Sequence, residues 1–306
     1  YRSHNASFIL SKTFDGGLFT KNGNVNFNIG YAYTDSQDRR SMYNSTAGSN
    51  YDLVAAFDRQ NPAAARGFYE SRHNISAYLS FREEFFDDLS TRFGISFVGR
   101  SGRPYSLTFQ GGTQFNDDAS GSDNALAYIP TGPNDPNVVF ISTLNSAGAV
   151  VRTADQNRDE YNAVISGIGC AQKYRGKTIS RNTCSNDWYF DVDLSFSQEI
   201  PGPARLFGKS DKIKLYATMD NFLNFLDNSW NVQRRRNFAG LQDIATAGRN
   251  EVRSGNTVLA PAVAAVDSQG RYVISNVNGM TDYRNDNGVN ISSSVWRLKV
   301  GVSYEF

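Results

Sequence analysis

From Trp296 to Phe306 the chain alternates without interruption. Trp296, Leu298, Val300, Val302, Tyr304 and Phe306 are apolar, and Arg297, Lys299, Gly301, Ser303 and Glu305 between them are small or charged. A period of two sorts side chains onto opposite faces of an extended strand, whereas a helix would scatter them around its axis. Two further segments repeat the pattern. In one, Val25, Phe27, Ile29, Tyr31 and Tyr33 oppose Asn26, Asn28, Gly30, Ala32 and Thr34; in the other, Trp188, Phe190, Val192, Leu194 and Phe196 oppose Tyr189, Asp191, Asp193, Ser195 and Ser197. A chain built this way must form a sheet with one apolar and one polar face.

Weaker alternation at 6–14, 74–81, 91–100 and 211–220 extends the set. Seven strands are expected, near 5–14, 24–38, 72–86, 90–109, 186–200, 211–228 and 293–306. The connectors between them alternate in length. Those at about 15–23, 86–90 and 201–210 are short, and those at about 39–71, 110–185 and 229–292 are long. One end of the sheet is therefore tight and the other carries large loops, a bias typical of outer-membrane barrels and without reason in a soluble sandwich.

Composition is compatible with a membrane sheet. No run approaches the roughly 18 apolar residues of a membrane helix, but barrel strands need only about 9–11 residues with one apolar face. The last strand, ten steps of about 3.3 Å tilted by about 40°, projects to roughly 25 Å, the height of a barrel's apolar band. Lys299, Arg297, Asp191, Asp193 and Asn28 would then face a wet lumen. A net charge of +1 gives no electrostatic footprint for nucleic acid.

Few residues offer chemistry. The two histidines, His4 and His73, leave little room for a histidine metal site or two-base catalysis. No phosphate-cradling loop is present. In the stretch 116–124, Asn116, Asp118, Ser120 and Gly121 imitate an EF-hand loop, but Ala127 stands where the bidentate Glu belongs. Asp117, Asp118 and Asp123 remain candidates for calcium, against a merely solvated loop. Arg234, Arg235 and Arg236 concentrate positive charge in the last long connector and suit capture of an anionic solute or of lipopolysaccharide phosphates, with a solvated charged loop as the alternative. Cys170 and Cys184 sit close together in polar sequence, as expected of a disulfide in an oxidising compartment; two free thiols are the alternative.

Five stretches, GRSGRPYSLTF (99–109), NALAYIPTGPND (124–135), CSNDWYFDVDLSFSQEIP (184–201), KLYATMDNFLNFLDNSW (214–230) and the terminal VWRLKVGVSYEF, together resemble the C-terminal part of a TonB-dependent outer-membrane receptor, most like the Oar-like branch. The resemblance covers roughly the last two thirds of the chain. It implies a transporter of a Gram-negative outer membrane, without catalysis or cofactor. Such receptors form a 22-stranded barrel, plugged by an N-terminal domain and energised by TonB, that imports scarce or large solutes. It also implies that Trp296, Tyr304 and Phe306 belong to the signal read by the barrel assembly machinery. The chain departs from the family in carrying no plug, TonB box or signal peptide. Seven strands with the last running inward place the first strand's start outside, so the chain is expected to hold strands sixteen to twenty-two of a larger barrel. Its partners would be outer-membrane lipid and lipopolysaccharide, TonB through the missing part, and an unknown solute. A secreted β-sandwich binding module, or a surface hydrolase using the acidic loops, are the alternative readings.

Overall fold

The alternating segments pair in chain order. A computed structural model describes residues 2–111, 113–116, 123–208, 210–236 and 240–306. Four long strands come first: β1 (Arg2–Asp15), β2 (Asn24–Asp38), β3 (His73–Phe86) and β4 (Leu89–Arg100). The chain then leaves this sheet for β5 (Pro104–Gln110), β6 (Val138–Phe140) and the helix α1 (Ala154–Gly167). It returns as β7 (Tyr189–Pro201) and β8 (Lys212–Asp220), departs again for β9 (Leu241–Ala247) and β10 (Tyr272–Val277), and closes with β11 (Arg297–Glu305). The long strands form one antiparallel sheet in the order β1-β2-β3-β4-β7-β8-β11, hereafter the wall. The wall is open: β1 and β11 each pair on one side only.

Register keeps the two faces distinct across the whole wall. One row of cross-strand partners reads Phe14, Val25, Phe81, Phe93, Phe196, Ala217 and Val300. The row displaced by one residue reads Thr13, Asn26, Ser80, Gly94, Ser195, Thr218 and Lys299. The apolar face has no cover. Phe93 and Phe196 lie on strands paired on both sides, yet they are 36% and 46% exposed. The apolar rows are large, interrupted on β1 by Lys12, which lies beside Phe27.

A neighbouring carboxylate fastens each tight connector. Glu83 accepts from the Thr20 N–H at 2.9 Å and the Thr20 hydroxyl at 2.7 Å, holding the β1–β2 turn. Glu199 accepts from the Ser90 N–H at 3.0 Å and from Lys212 Nζ at 3.2 Å, and Asp211 accepts from the Ala204 N–H at 2.9 Å. Asp88 takes the left-handed conformation, φ 60°, in the two-residue turn between β3 and β4, which a short polar side chain tolerates.

Two expected strands are shorter than their sequence pattern. The segment 90–109 divides after Arg100, because the chain bends past Asn186 at Gly102, where a Cβ would stand 2.2 Å from the Asn186 carbonyl oxygen. The segment 211–228 stops at Asp220. Asn221 turns left-handed, φ 55°, its N–H donates to Asp193 at 2.8 Å, and a helical turn Phe222–Leu226 follows.

The long connectors, expected as loops, fold together into a cap at one end of the wall. Its main sheet orders Cys184–Ser185, β5, β9, β10 and β6, with β5–β9 and β10–β6 parallel. Helix α1 packs on it, opened by a capping box between Thr153 and Gln156. Leu107, Phe109, Ile129, Tyr161, Ile244 and Ile274 are almost fully buried there. The chain is thus mostly β, but the cap is a mixed α/β layer rather than a set of antiparallel hairpins. One buried ion pair ties it to the wall, and a second cluster holds the connector between β2 and β3. Arg181 meets Asp38 at 2.6 Å, and Glu70, its side chain fully buried, meets Arg66 at 2.5 Å and Arg72 at 3.1 Å.

Candidate functional site: an arginine cleft between wall and cap

The polar face of the wall ends in the cross-strand neighbours Asn74, Arg100 and Tyr189. There the cap overhangs and encloses a cleft of about 310 Å³. Arg100 and Arg103 flank the bend at Gly102. Arg234 and Arg235 enter from the last long connector, held in a short pairing with Val289 and Gly288. Asn186 ties these segments together. Its N–H and Nδ2 donate to the Arg103 carbonyl at 2.9 and 2.8 Å, and its Oδ1 accepts from the Arg236 N–H at 3.0 Å.

Two of the guanidiniums lie over rings, Arg100 5.1 Å from the centre of Tyr189 and Arg103 5.4 Å from that of Tyr69. Stacking satisfies the face of a guanidinium and leaves its N–H edges free to donate. Among the described residues none of the four cleft arginines has a carboxylate partner, whereas Arg66, Arg72 and Arg181 all do. Asp187 is the acidic residue in the lining, and it forms no ion pair with them.

The expected anion-binding run is therefore divided. Arg234 and Arg235 are exposed at the cleft, but Arg236 is not available to a solute. It is buried, donates to the Tyr283 carbonyl at 2.7 Å and to Gln242, and lies 4.0 Å from the centre of the Tyr283 ring. A run of three identical charges gave no sign of this, because the rings that flank Arg236, Tyr105 and Tyr283, lie far from it in the chain. Arg100 and Arg103 went unrecognised as ligand candidates although they stand in the motif GRSGRP; the two arginines flanking a Gly bend were the available signal.

The remaining candidates are dispersed. Asp117 and Asp118 lie outside the described residues; Asp123 accepts from the Gly111 N–H at 2.9 Å. Near it, burial lifts the Asp243 carboxyl to about 7. The hydrogen bond from Thr108 works against that shift, and the charges of Asp123 and Asp286 add to it. Cys170 and Cys184 are joined, Cα to Cα 5.3 Å, and Cys184 is part of the cap core. Trp296 meets Phe225 edge-on at 5.3 Å just before β11. At the tight end, Tyr304 donates to Asp211 at 2.8 Å and stacks on Phe306 at 5.8 Å. His73 is enclosed by aromatics, stacked on Trp188 at 5.8 Å and sharing a 2.8 Å hydrogen bond with Tyr31.

The chain matches no family model, no curated protein and no solved structure. What it can do is argued from its own geometry.

Proposed function

We propose that the chain is the C-terminal wall segment of a TonB-dependent outer-membrane receptor, and that it contributes barrel strands and a folded outer cap to energy-coupled uptake of a solute. The observation that carries this reading is the uncovered apolar face. Seven paired strands expose a largely apolar surface, interrupted by Lys12 beside Phe27, keep the opposite surface mostly polar, and end in tight turns on one side and a large folded cap on the other. Lipid is the environment in which that surface costs nothing, and a polar lumen suits the other. A soluble sandwich would bury the apolar face beneath a second sheet, but here the second sheet stands at the strand ends.

On this reading the free edges of β1 and β11 pair with further strands, because an open edge cannot persist in hydrocarbon. TonB acts through a plug and not through the wall. Full-length protein should fractionate with outer membranes and migrate faster on gels unheated than boiled. A detergent-free, soluble monomer would overturn the assignment.

A further inference from the structure

We infer that the cleft between wall and cap binds a small solute carrying at least two anionic oxygen groups, phosphate or carboxylate. The inference rests on the receptor reading in treating that solute as cargo.

Four arginines line the cleft from two distant parts of the chain, Arg100 with Arg103 and Arg234 with Arg235. Convergence of like charge in the folded state is unfavourable unless a counter-charge offsets it. The protein supplies such counter-charges readily elsewhere: Arg181 meets Asp38, Glu70 takes both Arg66 and Arg72, and even the exposed Arg253 has Glu251 at 2.7 Å. In the cleft it leaves them out, with four arginines against one unpaired aspartate.

Order in the surroundings argues against a merely solvated face. Rings hold Arg100 and Arg103, the pairing with Gly288–Val289 holds the backbone of Arg234 and Arg235, and Asn186 pins the two segments together. Pre-positioned forks of this kind fit phosphate and carboxylate oxygens two at a time. Arginines from two separate segments suit more than one anionic group, and the volume of about 310 Å³ falls at the lower end of the range of about 300–1,000 Å³ usual for small-molecule sites.

Full-length protein in neutral detergent can be titrated calorimetrically with inorganic pyrophosphate and with citrate. Saturable binding of at least one probe is expected, and it should weaken as salt rises. The double variants Arg100→Gln/Arg103→Gln and Arg234→Gln/Arg235→Gln should each lose roughly tenfold or more in affinity, while Arg253→Gln binds as wild type. No variant is needed for a second reading: the bound probe should protect the same four arginines from phenylglyoxal, scored by mass spectrometry.

Lipopolysaccharide vesicles that displace the probe would assign the natural anion to a lipid headgroup; vesicles that leave it bound would assign it to a soluble solute. Absence of saturable binding to either probe, or double variants that retain heat-modifiable mobility and bind as wild type, overturns the inference. Protein that sits in the outer membrane yet binds neither probe fails this test alone; protein that binds but is soluble fails only the receptor reading.

Discussion

Wall and cap solve opposite problems with the same chain. The cap buries its side chains against one another: Phe109 is 1% exposed and packs among Phe115, Tyr161 and Tyr272 at 5.6–6.3 Å between ring centres. The wall's apolar side chains, Leu79, Phe81 and Ile95 among them, are only partly buried by their strand neighbours, and its order comes from backbone ladders and from carboxylates that fasten its tight turns. The cap carries its own core, whereas the wall's apolar face packs against no second layer among the described residues. Substitutions should therefore act by different rules in the two regions.

The largest expected effect lies in the cap. Phe109→Ala removes a fully enclosed ring and should cost about 3–5 kcal/mol, seen as protease sensitivity of the cap with the wall's heat-modifiable mobility unchanged. If mobility is lost as well, wall and cap are not separable units. In the wall, neighbouring positions test the two faces. If the wall lies in a membrane as proposed, Leu79→Lys places charge on its apolar face at a cost of about 2–4 kcal/mol near the bilayer midplane and should reduce the folded fraction in lipid. Ser80→Lys, one residue on, should be tolerated; equal loss in both would remove the facial distinction.

Acid–base behaviour distinguishes the regions more finely. The Asp243 carboxyl is raised in the folded cap to about 7 from an ordinary value of 3.8, so the folded state holds its proton over that window and the unfolded state does not. Stability is then fully present below about 4 and declines as pH rises through about 7, with a slope of at most about 1.4 kcal/mol per pH unit. Asp243→Asn should flatten that slope in thermal melts of the cap; an unchanged slope places the titration elsewhere. The smallest effect on folded stability is expected of Phe306→Ser, since this ring is fully exposed and stacks on the neighbouring Tyr304. Its yield in the membrane should nevertheless fall if the terminal aromatic acts in assembly, and normal yield would leave the residue as an ordinary strand end.

The wall was legible from local pattern. Alternation placed all seven strands, and the uneven connectors placed the tight and the wide end. Its errors came where a single residue intervened, at Gly102 beside Asn186 and at the left-handed Asn221. The cap was far less legible. The Thr153–Gln156 capping box announces α1 in the sequence, yet helix, sheet and core together were expected only as loop.

The reason is physical. Which face a strand residue occupies follows from its neighbours two positions away, so the sequence by itself determined the wall's strands, their two faces and the asymmetry of their ends. Which arginine is buried and which is free depends on contacts between segments far apart in the chain. Only the tertiary structure decided that Arg236 lies under Tyr283 while Arg234 and Arg235 join Arg100 and Arg103 around one cleft. Three-dimensional closure brought those four charges together, and no local period records it.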